Sequence, residues 1–113
     1  MSLKVLLISS ELGEPMPGEG HRGVTSIMAV PERKVTSYSC RVMRFEKDGS
    51  TAIHSHEREH VVAVLKGKVR IESESEMVEL TSDNVVVVSP YARHRFVNLD
   101  NCDSVIMVQN LYE

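Results

Sequence analysis

The chain contains no run of lysine or arginine, no long apolar stretch, no CxxC pair and no convincing amphipathic helix, and each absence removes a class of function. Its 13 basic residues are outnumbered by 16 acidic ones, for a net charge of -3. Without a clustered positive face it lacks the electrostatic footprint of a nucleic-acid binder, and anionic membrane surfaces are excluded on the same ground. The apolar run after Lys4, VLLISS, is too short for a signal peptide or a membrane span, so a cytoplasmic protein is expected. Cys40 and Cys102 stand far apart, outside any paired motif, and are expected to be free thiols. A length of 113 residues suits one domain around a single core.

What is present reads as strand after strand. Lys4 to Ser10 is a short strand candidate; the following ELGEPMPGEG, with two prolines and three glycines, should hold neither helix nor sheet and act as a mobile loop. Residues 1–24 therefore form an N-terminal strand and loop, and residues 25–113 the body of the domain. Thr25–Val30 and Val35–Glu46 are strands parted by the polar turn Pro31–Lys34. In the second, alternation sets Arg41, Met43 and Phe45 on one face and Cys40, Val42 and Arg44 on the other, and parity alone does not say which is inside. Ala52–His56, His60–Leu65, Val69–Ser73, Met77–Leu80, Arg95–Asn98 and Ser104–Leu111 continue the pattern, with Ser73–Glu76 as a solvated hairpin tip. The continuous apolar run Val85–Val88 suits a strand buried on both faces. Many short strands with frequent turns point to an all-β sandwich or barrel.

Three of the five histidines, His54, His56 and His60, fall within seven residues. Neutral imidazole is a good ligand for first-row divalent metals, so the cluster points to a metal site. His56-Glu57-Arg58-Glu59-His60 also spells the H-E-x-x-H pattern of zinc peptidases, which needs a helix. The residues before it carry no apolar helical stripe, and Val61, Val62 and Val64 are β-branched, so strand is favoured and the peptidase reading is set aside. His54 and His56 stand two apart and share one face of an extended strand; a bend at Glu57–Glu59 would return His60 toward them, and His94 could arrive from the far end of the chain. His21, in the glycine-rich GEGHRGVTS, is expected at the surface and outside the site.

These residues give the chain its resemblance to a single-domain cupin, a double-stranded β-helix or jelly-roll barrel with two sequence boxes. The first box resembles His54-Ser55-His56, then His60, then Val64-Leu65-Lys66-Gly67; the second resembles Pro90 through His94 to Asn98. Where the family pattern has a glutamate after the second histidine this chain has His60, with Glu59 one position early. The resemblance is thus to the four-histidine variant of small cupins. It implies His54, His56, His60 and His94 as ligands of one divalent transition metal (Mn, Fe, Ni, Cu or Zn), with Glu59 supporting a ligand from behind or itself ligating in place of His60. The second box lacks both its usual leading glycine, replaced by Asp83 or Asn84, and the glycine after its proline. Arg41 and Phe96 are expected to line a substrate pocket, where an arginine pairs a carboxylate.

Four neutral ligands leave the full charge on a divalent metal, and a six-coordinate shell keeps positions open for water, substrate or dioxygen. The expected function is a metal-dependent, oxygenase-like enzyme acting on a small oxygen-rich molecule. The alternatives are a non-catalytic metal-binding or small-ligand sensor module and a sugar or keto-acid isomerase. A homodimer is expected because Val5, Leu6, Leu7 and Ile8 form an apolar strand that can pair with a second chain. Metal binding should fall below about pH 6, where unperturbed imidazole protonates.

Overall fold

The computed structural model describes residues 13–31 and 37–111. Within them lie nine strands and no helix: β1 (Glu14–Pro15), β2 (Arg22–Val30), β3 (Tyr38–Ser50), β4 (Glu59–Lys66), β5 (Val69–Ser73), β6 (Met77–Leu80), β7 (Val85–Val88), β8 (His94–Asn98) and β9 (Ser104–Leu111). They make one sheet in the order β6-β5-β8-β3-β9-β4-β7, with β2 joined to β3 and β1 to β2. Every pairing is antiparallel, and the coiled sheet is the jelly-roll barrel of the all-β class. The strand expected at Lys4–Ser10, with the apolar residues 5–8, and most of the turn at Pro31–Lys34 lie outside the described residues. Cys40 is buried and Cys102 exposed, both as free thiols.

The interior is written in parity. From β3 it takes Ser39, Arg41, Met43 and Phe45; from β4, His60, Val62 and Val64; from β8, His94, Phe96 and Asn98; from β9, Asn110, Val108, Ile106 and Ser104. Read along each strand, a polar residue stands at one or both ends and apolar residues fill the middle. Phe45, Val62, Val69, Leu80 and Ile106 are completely or almost completely enclosed. Each such side chain contributes on the order of 1.5–3 kcal/mol by leaving water, so this middle layer is what holds the barrel closed. Gly67 makes the tight link from β4 to β5: its φ is +86°, and a Cβ there would come within 2.2 Å of Ser104 Oγ.

Two expectations change. Val85–Val88 is not buried on both faces: among the described residues it is an edge strand bonded only to β4, with Val85 and Val87 60% and 58% exposed while Val88 packs into the core. A bare apolar run cannot distinguish an edge from a centre, because hydropathy reports no neighbours. The segment ELGEPMPGEG does contribute to the sheet, since Glu14 and Pro15 pair with Ser26 and Thr25. Proline is tolerated there because, among the described residues, β1 lies at the margin of the sheet, where a missing N–H breaks no ladder.

Candidate metal centre

The site begins with a slip in register. Ser50 faces Val97 but His54 faces His94, so four steps along one strand match three along the other. The extra residue is a β-bulge at Ala52–Ile53. It swaps which parity faces inward, from the odd positions of β3 and Thr51 to His54 and His56. Thr51 clasps β8 just before the bulge, its N–H donating to Phe96 O at 2.9 Å and its Oγ1 accepting from Phe96 N–H at 2.9 Å. Beyond it, His54 and His94 exchange backbone bonds of 3.1 and 3.0 Å, which sets their side chains next to each other on the inner face. The His56 carbonyl accepts Tyr91 N–H at 2.6 Å. Tyr91 adopts φ +66°, so a bulky residue holds the left-handed conformation at the place of the family's missing glycine.

The ligand nitrogens of His54, His56 and His94 lie within 4.8 Å of one another. His60, from the start of β4, stands just outside that trio, its ring 5.0 Å from His56 and 5.2 Å from His94. Its Nδ1 donates to Asn110 Oδ1 at 2.5 Å, which leaves the lone pair on Nε2; that atom is buried without a hydrogen-bond partner. His94 is set the same way, with Nδ1 donating to Ala92 O at 2.9 Å and Nε2 left as the free acceptor. Fixing the tautomer from behind is what a metal-ligating imidazole requires. Three convergent imidazoles and an orphaned, buried Nε2 beside them therefore fit a divalent transition ion.

The electrostatics agree. Burial, reinforced by His54, Arg58 and the other imidazoles, pushes His56 down to about 4. Burial, opposed by the Asn110 bond and aided by His94 and Arg58, pushes His60 to about 4 as well. His54 is lowered by burial and then by His94, His21 and Arg58. Burial thus favours the neutral, ligating form of all three rings.

Above the cluster opens a cavity of about 540 Å³. Arg41 and Phe96 both line it, Arg41 held at 3.2 Å by Ser26 Oγ and Phe96 edge-on to His94 at 5.8 Å. Glu59 does not line it. Its position in β4 alternates with that of His60, so it faces away from the interior, and the place behind His60 belongs to Asn110. Asn110 escaped the sequence reading because nothing local links it to His60; only the β4–β9 register does. Met16, Met28 and Arg58 were missed as lining residues too. His21, expected at the surface, is half-buried at the cavity, its ring 5.9 Å from that of His54.

A family model for the cupin domain, Cupin_2, matches residues 41–108. The fold is similar to that of the polyketide cyclase RemF from Streptomyces resistomycificus, with a TM-score of 0.79 and 17% identity over 97% of this chain and 81% of that one. It is also similar to a cupin-2 domain protein from Rhodospirillum rubrum, at TM-score 0.76 and 14% identity, over 98% and 76% of the two chains. The Cupin_2 domain of an XRE family transcriptional regulator from Enterobacter cloacae aligns at TM-score 0.71 and 13% identity, over 81% of this chain and 99% of that one. At these identities the likeness is one of fold. No curated protein matches the sequence.

Proposed function

The chain belongs to the cupin domain family, and from that premise we propose that it is a metal-dependent enzyme of the oxygenase kind, acting on a small oxygen-rich molecule at a centre held by His54, His56, His60 and His94. The observation that carries this reading is the meeting of three imidazoles and the orphaned Nε2 of His60 at the floor of a 540 Å³ cavity. A divalent metal there would supply Lewis acidity toward a carbonyl or enolate oxygen and, if redox-active, one-electron chemistry with dioxygen. The chain's own residues do the rest. Asn110 and the Ala92 carbonyl hold the His60 and His94 rings in their ligating tautomers. Arg41 offers a guanidinium to a carboxylate or enolate, and Met43, Phe96 and Val108 form an apolar wall beside the reacting end.

A second reading is a binding or sensor module without turnover, which the same cavity serves equally; a third is isomerisation of sugars or keto acids. One fold supports all three. Elemental analysis of protein purified without added metal, followed by oxygen electrode measurements, separates them. Stoichiometric redox metal with oxygen uptake supports the oxygenase; product without oxygen supports the isomerase; ligand binding without product supports the sensor. No bound metal after incubation with any first-row ion would end the reading. We further propose a homodimer in the cytoplasm, and a monomer by light scattering at high protein concentration would remove the former.

A further inference from the structure

Building on the four-histidine reading, we propose that His21 is the cavity's own hydrogen-bond donor, a positioning residue that grips an oxygen of the bound small molecule and is not a fifth metal ligand. The argument rests on what the bulge at Ala52–Ile53 does to the backbone. Thr51 and His54 spend their N–H groups on β8, but Ala52 N–H is turned out of that ladder and donates instead to His21 Nδ1 at 3.1 Å. A neutral imidazole has one lone pair and one N–H. With the lone pair of Nδ1 occupied by Ala52, the proton sits on Nε2, and Nε2 can only donate. Ligation through Nε2 would demand an imidazolate. His60 and His94 are wired in the opposite sense, each donating from Nδ1 and keeping the lone pair on Nε2. The cavity thus holds two kinds of histidine: those that present a lone pair and one that presents a proton.

The segment carrying His21 is shaped to keep that proton available. Gly18 and Gly20 take φ of +101° and +87°, conformations that side chains rarely adopt, and they wrap residues 16–21 along the cavity wall. A Cβ at Gly20 would meet Ala52 Cβ at 3.0 Å, pressing the segment away from the bulge, whereas one at Gly18 would make only an ordinary contact with His21 Nε2 at 3.5 Å. Gly20 thus lets the segment seat His21 on Ala52, and Gly18 passes the outer nitrogen without a side chain. The ring lies edge-on to His54, so the donor stands beside the cluster without entering it. A ligand suited to this arrangement presents an acceptor oxygen, such as a carbonyl, carboxylate or phenolate, at the edge of the cluster beside His21.

Two measurements on the full chain test this. Nitrogen-15 NMR of histidine-labelled, zinc-loaded protein should find His21 protonated on Nε2 and His60 and His94 protonated on Nδ1; an Nδ1-protonated His21 would overturn the proposal by itself. Zinc uptake and binding of 4-nitrocatechol, a chelating chromophore, are then compared in wild type, His21→Ala and His21→Gln. Zinc stoichiometry should be the same in all three. 4-Nitrocatechol should bind about tenfold to a hundredfold more weakly to His21→Ala, the usual effect of losing a hydrogen bond to a charged oxygen, with partial recovery in His21→Gln, whose amide still donates. Loss of zinc from His21→Ala would make His21 a ligand, and unchanged 4-nitrocatechol affinity would make it a pin for the segment alone; either result sinks the proposal. A wild-type chain that takes up no zinc would instead sink the four-histidine reading beneath it.

Discussion

The two ends of the barrel both bury polar side chains on the same inward parity, and they do so to opposite effect. At one end Asn98 and Ser104 form a closed knot. Asn98 Nδ2 reaches the carbonyls of Phe45, Glu46 and Cys102 at 3.3, 2.9 and 3.0 Å; its Oδ1 accepts Ser104 Oγ–H at 2.7 Å and Asp100 N–H at 2.9 Å. Ser104 Oγ in turn accepts Lys68 N–H at 3.1 Å. At the other end His60 and His94 are satisfied on one side only, and His60 Nε2 is buried without a partner. A buried polar group left unmatched costs about 1–3 kcal/mol, so a fold retains it where something other than stability is served. The difference teaches that polarity inside this barrel does not by itself mark the site. Unspent hydrogen-bonding capacity does.

Substitutions at the closed end should therefore cost stability, and those at the open end function. The largest effect is expected from Gly67→Ala, which forces a Cβ into Ser104 and strains a positive φ: a loss of about 3–4 kcal/mol in urea unfolding. Asn98→Ala strands several backbone groups and should cost about 2–3 kcal/mol by the same measurement. His60→Leu should change metal-free stability by no more than about 1 kcal/mol, since it removes the orphaned Nε2 but leaves Asn110 Oδ1 without its donor, two costs of similar size that offset. A large loss in His60→Leu would erase the contrast.

Acid sharpens it further. His56 and His60 ionise near 4 in the fold and His54 is also lowered, whereas unfolded histidine ionises near 6.5. Below 6.5 the unfolded chain binds protons that the folded chain refuses. Metal-free stability should thus be complete above that pH and decline as pH falls toward 4, by roughly 2 kcal/mol after allowance for solvent screening. The slope should persist in Asn98→Ala and flatten in His60→Leu, as followed by urea unfolding across the window. The same depressions carry the expected loss of metal to lower pH than the ordinary imidazole range suggests. The smallest effect is Tyr91→Gly, which relieves a left-handed φ of +66° and should stabilise by about 1 kcal/mol with metal affinity unchanged.

Most of the barrel was legible because short β-branched runs are parted by turn residues such as Gly67, and burial alternates along β4 and β8. The histidines were legible as a set because His54 and His56 share parity. What could not be read is whatever depends on strand neighbours. The edge position of β7, the Asn110 partner of His60 and the inward parity of β3 all follow from register, which local composition does not encode. The surface placement of His21 failed for the same reason: its surroundings are glycine-rich and polar in sequence, but in space they include a bulge two strands further along the chain, at Ala52.

The most direct test of the account is the metal content of wild type, His60→Ala and Glu59→Gln, prepared side by side. His60 faces the cavity with a buried, unspent lone pair, and Glu59 does not line it. Wild type and Glu59→Gln should each bind one divalent ion with the same affinity, and His60→Ala should bind it at least about tenfold more weakly. Retention of metal by His60→Ala together with its loss from Glu59→Gln would contradict the four-histidine centre and put a carboxylate in its place.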